Sequence, residues 1–318
     1  MKKGIISLGE ALIDFIPLDP NNTNYQKSPG GAPANVAVGV ARLGAKSTFL
    51  GKVGDDVLGR FLKRTLEEYE VQTHRMLLTP HVRTGVVFVT NAADGERSFD
   101  FYINPSADQF LETSEIDETD FDHHKVLHFG SISMIGDTVK EATRHAVALA
   151  KEKGMIVSYD PNLRLPLWNS EDQARETIAS MLGEADFLKI SEEELEFITG
   201  EKDMESGLEK LTAYDIPLIL ITMGGNGSYV CTSDGYEHVQ ARKVKAVDTT
   251  GAGDAFVSGM LYSLNEYEGN INEMTLAEAV EMAEFASVSG AVAASTKGAM
   301  TALPTLEEVR KQLQKSGD

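Results

Sequence analysis

Residues 248–256 read DTTGAGDAF, and this short stretch decides how the rest of the chain is interpreted. Two glycines and an alanine precede the apolar run VSGMLYSL, which has the composition of a helix. A helix N-terminus presents unpaired N–H groups and about half a positive charge, so it can bind an anion. Asp254 falls in the first helical turn, where it could accept a proton. The alternative is a tight turn followed by an acid that merely favours the helix dipole.

The stretch is compatible with phosphoryl transfer. Gly251, Ala252 and Gly253 have no side chain large enough to block an anion, and their amides could stabilise developing negative charge. The pattern G-x-x-x-x-G-K-[ST] and the pattern G-x-G-x-x-G are absent, and so are the H-R-D and D-F-G motifs of protein kinases. A phosphate donor bound here would therefore indicate another class of kinase.

A second unusual stretch, GGAPANVAVGVARLG, spans residues 30–44. Gly30 and Gly31 would let a ligand approach the backbone, and Asn35 offers both a donor and an acceptor to a polyol. The small side chains that follow suit a helix packed closely against a sheet. A turn before a buried helix, without any ligand, explains the stretch equally well.

The order of apolar runs predicts a doubly wound α/β body. From about residue 123, β-branched runs alternate with amphipathic stretches, which is typical of a parallel sheet covered on both faces. The predicted strands include GIISLG, STFLGKVG, KVLHFG, MIVSYD, FLKI and PLILITMG. The predicted helices include those near 138–153, 170–182, 205–214, 253–265 and 275–294.

A smaller sheet is predicted beside this body. TGVVFVT and RSFDFYI are rich in β-formers, and NAADGE between them has the composition of a hairpin connection. With the segment from about Leu12 to Ser28, they could form a small sheet that projects from the body. Nothing in the sequence reads as an interdomain linker, so one domain spanning 1–318 is predicted.

Composition excludes several classes of protein. The chain has 318 residues and a formal net charge of -20, which argues against binding to nucleic acid phosphates. A single cysteine, Cys231, excludes an internal disulfide framework and suggests a reducing, cytoplasmic environment. Glu10 and Asp14 interrupt the first apolar run, and no run approaches about 18 apolar residues, so neither a signal peptide nor a membrane helix is expected.

Ligands of open α/β sheets bind beyond the carboxyl ends of the strands. Asp160 and Arg164 follow one predicted strand in YDPNLR, and the guanidinium could bind a phosphate or form a structural salt bridge. Ser191 and Glu194 follow the next strand, and they also match a helix capping box. MGGNG follows PLILIT, either as a ligand-binding turn or as a simple end of the strand.

Together these stretches resemble the ribokinase-like carbohydrate kinases, also called the pfkB family. GGAPANVAVGVARLG resembles the N-terminal signature of the family, and DTTGAGDAF resembles its C-terminal signature. YDPNLR, KISEEEL and ITMGGNGSYV stand between them in the family's order, and the resemblance extends from GEALIDF to GAMTALP. It implies a three-layer α/β sandwich with a mostly parallel central sheet and a small β-sheet lid, here formed by about 12–31 and 84–106.

The resemblance also implies roles for individual residues. Asp254 would be the catalytic base, and Gly251, Ala252 and Gly253 would form the anion hole for the γ-phosphoryl group, with Arg164 on the transferring phosphate. The sugar would be bound by Asp14, Gly30, Gly31 and Asn35. Tyr102 would either cover the sugar or pack within the lid sheet. The predicted nucleotide contacts are Lys189, Glu194, Thr222, Gly224 and Gly227, although Ser191 replaces the asparagine that the family pairs with Glu194.

Two metal ions are implied. Mg²⁺ would accompany the phosphates of ATP, and many members of the family bind K⁺ beside the anion hole. The predicted K⁺ site lies between two loops, and its ligands are mostly backbone carbonyls. The loops are identified by Asp248, Thr250, Ala293, Thr296 and Gly298.

The sequence thus predicts an ATP-dependent sugar kinase. YDPNLR with the following LW, and KISEEEL, resemble the fructokinase branch most. The nearest rival is 2-keto-3-deoxygluconate kinase, which Asp100 near the lid should disfavour by repelling a carboxylated sugar; ribokinase and nucleoside kinase are weaker alternatives. A non-catalytic sugar or nucleotide sensor on the same fold is the alternative of a different class. Apolar side chains on the hairpin strands suggest a homodimer formed through the lid.

Overall fold

A nine-stranded sheet forms the centre of the molecule, which we describe from a computed structural model covering residues 2–91 and 97–314, with Arg97 described by its backbone alone. Seven neighbouring strands, in the order β11-β10-β9-β8-β1-β4-β5, run parallel, and β12 and β13 extend the sheet antiparallel beyond β11. These strands are β1 (Ile5–Leu8), β4 (Ser47–Gly54), β5 (Met76–Thr79), β8 (Val126–Phe129), β9 (Ile156–Tyr159), β10 (Phe187–Ser191), β11 (Leu218–Thr222), β12 (Ser228–Thr232) and β13 (Gly235–Val239).

Helices cover both faces of this sheet. They are α1 (Ala32–Arg42), α2 (Val57–Glu68), α3 (Glu118–Phe121), α4 (Asp137–Glu152), α5 (Glu171–Leu182), α6 (Glu192–Thr199), α7 (Met204–Leu211), α8 (Ala252–Glu266), α9 (Leu276–Ala294) and α10 (Leu306–Gln314). Successive residues of a strand point to opposite faces, and the two cores follow that alternation. Ile6 and Leu8 pack on the side of α4 to α7, whereas Ile5 packs with α1, α8 and α9. The predicted α/β fold is confirmed.

Several helices begin at residues whose side chains satisfy exposed amides. Asp56 accepts from two amides in the first turn of α2, and Ser170 caps α5. Thr275 and Glu278 form a capping box at α9. Such caps fix where a helix starts, because the first four amides of a helix have no partner inside it. Within the part of the chain that the structure describes, no helix has the length and apolar character needed to cross a bilayer.

A second sheet of four strands lies beside the body in the order β3-β2-β6-β7. Its strands are β2 (Leu12–Pro17), β3 (Tyr25–Gly30), β6 (Gly85–Asn91) and β7 (Arg97–Phe101). We call it the small sheet. Strands β6 and β7 pair antiparallel as predicted, although their connection, residues 92–96, lies outside the described residues. Strand β2 follows β1 after only three residues, so the small sheet is tied directly to the central one.

Candidate active site

A cavity of about 430 Å³ opens between the small sheet and the carboxyl ends of the central strands. It brings together residues that are far apart in sequence, from the two glycine-rich stretches and from the segment after β9. The predicted site residues that line it are Asp14, Gly31, Asn35, Arg164, Thr250, Gly251, Gly253 and Asp254. The cavity therefore lies at the edge where open α/β sheets bind their ligands.

Asp254 lies in the first turn of α8 and faces this cavity. The Nδ2 atom of Asn35 donates a hydrogen bond to its Oδ2 atom over 2.7 Å. Burial raises the pKa of Asp254 and the carboxylate of Asp160 adds to this, while the bond from Asn35 opposes it, and the result is a pKa of about 6. At neutral pH the side chain is therefore mostly an ionised carboxylate that is able to accept a proton.

The turn before α8 has the conformation that its glycines permit. Gly251 has a φ of 77°, in the left-handed region, and a Cβ atom there would lie 3.2 Å from the Cα atom of Ala299. The amide of Ala252 donates to the carbonyl of Thr249 over 3.1 Å, so it is engaged inside the turn. Among residues 2–91 and 97–314, the amides of Gly253 and Asp254 have no hydrogen-bond partner. These two amides can therefore bind an anion.

The paired glycines at the end of β3 make room for the carboxyl group of Asp14 and for the backbone carbonyl of Glu10. A Cβ atom on Gly30 would lie 2.2 Å from the Oδ2 atom of Asp14, so only glycine leaves Asp14 its place. Gly31 has a φ of 100°, and a Cβ atom on it would lie 2.5 Å from the carbonyl oxygen of Glu10. Burial raises the pKa of Asp14 to about 6, although Arg164 opposes that rise.

Asn35 has one polar atom without a partner. Its side chain is 6% exposed, its Nδ2 atom is used by Asp254, and its Oδ1 atom accepts no hydrogen bond from any described residue. A buried acceptor without a donor is unfavourable unless a ligand or water supplies one. Because Asn35 lines the cavity, a hydroxyl group of a ligand could satisfy it.

Two basic side chains approach the site in different ways. Arg164 is exposed at the cavity, where its guanidinium donates to the carbonyls of Leu163 and Asn162. Lys189 is 8% exposed and forms an ion pair with both oxygens of Asp160 at 3.2 Å. Burial lowers the pKa of Lys189, but the carboxylates of Asp160 and Glu194 outweigh it and the pKa is raised. Lys189 therefore stays charged.

A second cavity of about 740 Å³ adjoins the first and shares with it Phe99, Phe101, Asn162 and Arg164. Lys189 and Glu194 line this second cavity. Glu194 also forms the capping box with Ser191 and accepts from the amide of Leu163 at 2.7 Å. Ser191 and Glu194 thus form the helix cap that was the alternative to a ligand-binding role, and Glu194 also borders the second cavity.

The other predicted nucleotide residues lie one strand further along the same edge. Thr222 ends β11 opposite Ser191 of β10, and its hydroxyl donates to the carbonyl of Ile190 over 3.3 Å. Gly224 and Gly227 belong to the turn between β11 and β12, and both have positive φ angles. None of the three lines the two cavities described above.

The two loops of the predicted K⁺ site lie against each other. Asp248 joins them, because its Oδ1 atom accepts from the amide of Thr250 at 3.1 Å and its Oδ2 atom from the amide of Gly298 at 3.2 Å. The amide of Asp248 donates in turn to the carbonyl of Ala294. Ala293 and Thr296 are linked by a backbone hydrogen bond of 3.0 Å at the end of α9. The result is a pair of loops rich in carbonyl groups around one carboxylate.

Sequence reasoning missed several cavity residues, Glu10 and two phenylalanines among them, and misplaced two others. Glu10, Phe99 and Phe101 line the cavity. Phe101 pairs with Val87 of β6 and Val87 with Asp14, so all three face the cavity. Tyr102, the next residue, is 69% exposed and packs edge-on against Phe88, 5.6 Å between ring centroids.

The prediction that Tyr102 covers the sugar is therefore wrong, and the alternative of an aromatic packed within the small sheet is correct. Asp100 pairs with Phe88 and so lies on the face turned away from the cavity. It cannot repel a carboxylated sugar there, and the cavity acids that are mostly ionised at pH 7 are Asp14 and Asp254. The signal for Glu10 was its position in the apolar frame LGEALIDF, where a buried acid is costly unless it has a use.

Comparison with known proteins relates the whole chain to carbohydrate kinases. A model of the pfkB family of carbohydrate kinases matches residues 2–306. "Probable fructokinase-6, chloroplastic" from Arabidopsis thaliana is 46% identical over 98% of this chain and 83% of the relative. The crystal structure of fructokinase with bound ATP from Xylella fastidiosa has a TM-score of 0.94 and 34% identity, and the match covers 100% of both chains.

A fructokinase double mutant from Vibrio cholerae O395, in a form with bound fructose, ADP and potassium ion, has a TM-score of 0.89 and 40% identity over 98% of this chain and 99% of that one. The arrangement of Asp254, the turn before α8 and the paired glycines thus occurs in a chain whose sequence matches such kinases from end to end. The chain belongs to the pfkB family of carbohydrate kinases.

Proposed function

We propose that this protein transfers the γ-phosphoryl group of ATP to a primary hydroxyl group of fructose and so forms fructose 6-phosphate. The observation that carries the proposal is the position of Asp254, a buried carboxyl group with a pKa of about 6, beside the unpartnered amides at the start of α8. The relatives described above add support, because they carry the name fructokinase at 34–46% identity over nearly the whole chain.

In the proposed reaction the sugar binds between Asp14 and Asn35, with its reacting hydroxyl group next to Asp254. Asp254 accepts the hydroxyl proton while the oxygen attacks the γ-phosphorus of ATP and the bond to ADP breaks. The amides of Gly253 and Asp254 and the positive charges of Arg164 and Lys189 stabilise the phosphoryl group in transfer. Most of the rate enhancement then comes from position and from charge stabilisation.

Mg²⁺ and K⁺ are part of the proposal, and the residues fit them differently. No cluster of three His, Cys, Asp or Glu side chains suited to a metal exists in 2–91 and 97–314, so Mg²⁺ would be held mainly by ATP phosphates. The paired loops around Asp248 offer carbonyl oxygens and one carboxylate, a donor set that suits a hard monovalent cation. K⁺ bound there would add positive charge near the turn that begins α8.

We further propose that the small sheet is a lid on a single kinase domain and that two copies of the protein form a homodimer through this sheet. Its face opposite the cavity carries an aromatic cluster in which Phe15 stacks on Phe88 at 5.0 Å and Tyr25 and Tyr102 pack edge-on against Phe88. Phe15 also packs against the core beside α2, whereas Tyr102 is 69% exposed, and an exposed aromatic side chain of this kind favours a protein partner. A cytoplasmic location agrees with the single, buried Cys231.

Replacement of Asp254 tests the function directly. Asp254→Ala should lower kcat for fructose by about 10²- to 10⁴-fold, the usual contribution of a general base. Fructose binding, measured by calorimetry, should persist, because Asp14 and Asn35 remain. Asp172→Asn, on the exposed start of α5, is the matched control and should keep wild-type activity. A non-catalytic sensor would show no phosphate transfer to lose.

The sugar is tested by release of ADP in the presence of fructose, 2-keto-3-deoxygluconate, ribose and nucleosides. Fructose should have the highest kcat/KM, because the carboxylates of Asp14 and Asp254 disfavour an acidic sugar. A higher kcat/KM for 2-keto-3-deoxygluconate would contradict the proposed substrate and leave the sugar kinase activity intact.

A further inference from the structure

Glu10 is the one acid in the cavity wall to which the mechanism assigns no task. It lies in the short connection between β1 and β2, at the carboxyl edge of the central sheet, and it is 3% exposed. It lines the main cavity of about 430 Å³ and also the two small voids of about 10 Å³ that adjoin it. Two residues border all three spaces, Glu10 and Ile132, and Glu10 is the polar one of the pair.

The hydrogen bonds of Glu10 leave part of its carboxyl group available. Its Oε1 atom accepts from the amide of Ala32, the first residue of α1, over 3.1 Å. No ion pair joins Glu10 to a basic side chain in the ranges 2–91 and 97–314. The ionisable and charged groups that face Glu10 from the surrounding elements are Asp14, Asp108, His128, Asp160, Arg164 and Asp254. Most of them are acidic, so this environment disfavours a second negative charge.

Several hydrogen-bond donors of the cavity have other tasks in the proposed mechanism, because Arg164 and the amides of Gly253 and Asp254 act on the phosphoryl group. Asp14 and Asp254 are acceptors once they are ionised, and the Nδ2 atom of Asn35 is already used by Asp254. A polyol needs partners that donate as well as partners that accept. A carboxyl group that keeps its proton supplies a donor at the position where the three spaces meet.

We propose that Glu10 donates a hydrogen bond to a hydroxyl oxygen of the bound sugar and is a specificity-determining residue of the sugar pocket. This inference rests on the proposed function, since it requires a sugar in the cavity. Burial raises the pKa of Glu10 to about 8 and the carboxyl group of Asp108 adds to the rise, although hydrogen bonds from the amides of Glu10 and Ala32 oppose it. Glu10 therefore holds its proton at pH 7 and loses both the proton and the donated bond at higher pH.

The first test is the pH dependence of KM for fructose in the wild type. Only the protonated enzyme binds the sugar well, so KM should rise about tenfold between pH 7 and pH 9. The KM for ATP and kcat at saturating fructose should not follow that rise. A KM for fructose that stays constant to pH 9 would overturn the proposal, although fructose phosphorylation at pH 7 would still uphold the proposed function.

Variants of Glu10 assign the effect to this residue. Glu10→Gln keeps a donor and removes the ionisation, so its KM at pH 7 should stay within about threefold of wild type and should not rise by pH 9. Glu141→Gln, on the exposed side of α4, is the matched control and should retain the wild-type profile. If Glu10→Gln retained the wild-type rise, the rise would belong to another group and the proposal would fail.

Deoxy sugars separate contact with the sugar from a structural role at α1. Glu10→Ala should raise KM about tenfold for fructose, the usual effect of losing one hydrogen bond to a substrate. For the one monodeoxy fructose that lacks the contacted hydroxyl, the same variant should cause no further rise. A merely structural role would raise KM equally for every analogue, and that result would refute the contact.

Discussion

Replacement of Asn35 by alanine tests how this site sets the pKa of its base. The side chain of Asn35 donates one hydrogen bond of 2.7 Å to Asp254, and this bond favours the ionised carboxylate. A hydrogen bond to a charged group contributes about 1.5–3 kcal/mol, and one pKa unit corresponds to about 1.4 kcal/mol. Asn35→Ala should therefore raise the pKa of Asp254 by about one to two units, from about 6 in the wild type.

The sign of this effect makes it visible at low pH. Asp254 must be ionised to accept a proton, so activity decreases as the pH falls through its pKa. With a pKa about 1.5 units higher, the ionised fraction at pH 6.5 would fall about eightfold. Loss of the contact between Asn35 and the sugar would lower kcat/KM as well, but by the same factor at every pH.

The assay is kcat/KM for fructose from pH 5 to pH 9, with the acidic and basic limbs fitted separately. Asn272→Ala, at an exposed position far along the chain from the site, is the matched control and should keep the wild-type acidic limb. Thermal denaturation establishes that each variant is folded. An acidic limb that stays in place in Asn35→Ala, or moves to lower pH, would refute the assignment of Asp254 as the titrating base or of Asn35 as the residue that tunes it.

Three further outcomes follow from the geometry. Asp56→Ala should lower the free energy of unfolding by about 1–3 kcal/mol in urea, because Asp56 caps α2 and also accepts from the amide and hydroxyl of Thr84. Burial raises the pKa of Asp56, but these hydrogen bonds outweigh it and lower the pKa overall. The extra stability of the wild type over Asp56→Ala should therefore be present at neutral pH and disappear as the pH falls below about 4. Gly251→Ala should reduce kcat at least tenfold and lower the thermal stability only slightly. An alanine at this left-handed φ, close to Ala299, costs about 1–2 kcal/mol and displaces the turn. A variant with wild-type kcat would contradict this. Cys231 should not react with a thiol reagent at pH 8 until urea unfolds the protein, because burial raises its pKa to about 12. Rapid labelling of the folded protein would contradict this and show that the thiol is accessible.

The body of the fold was predictable because its strands are buried on both faces. Runs such as PLILIT are apolar throughout, and amphipathic helices separate them, which leaves few alternatives to a covered parallel sheet. Strand β13 was missed for the opposite reason. It reads GYEHV at Gly235–Val239, lies at the edge of the sheet and is mostly exposed, so it has no apolar pattern.

The candidate site was predictable where a residue has a local use. The nine residues 248–256 were enough to predict the anion-binding turn and Asp254, and the paired glycines were likewise recognisable from a short stretch. The face on which Tyr102 lies was not predictable, because a shift of one residue along a strand moves a side chain to the other face. Only the pairing of its neighbour Phe101 with Val87 fixes that face. Glu10 was missed because its partner, the amide of Ala32, lies 22 residues away.

The small sheet enters the chain at two separate places, after β1 and after β5, and each time the chain returns to the central sheet. The pieces Leu12–Gly30 and Gly85–Phe101 could therefore be exchanged for those of a relative, while Asp160, Lys189 and the turn before α8 are left untouched. Recombination of such paired segments offers natural evolution and protein engineers the same opportunity. Under the proposed function, such a chimera would have a different cover over the sugar and a different outer face, and it would keep the residues proposed for phosphoryl transfer.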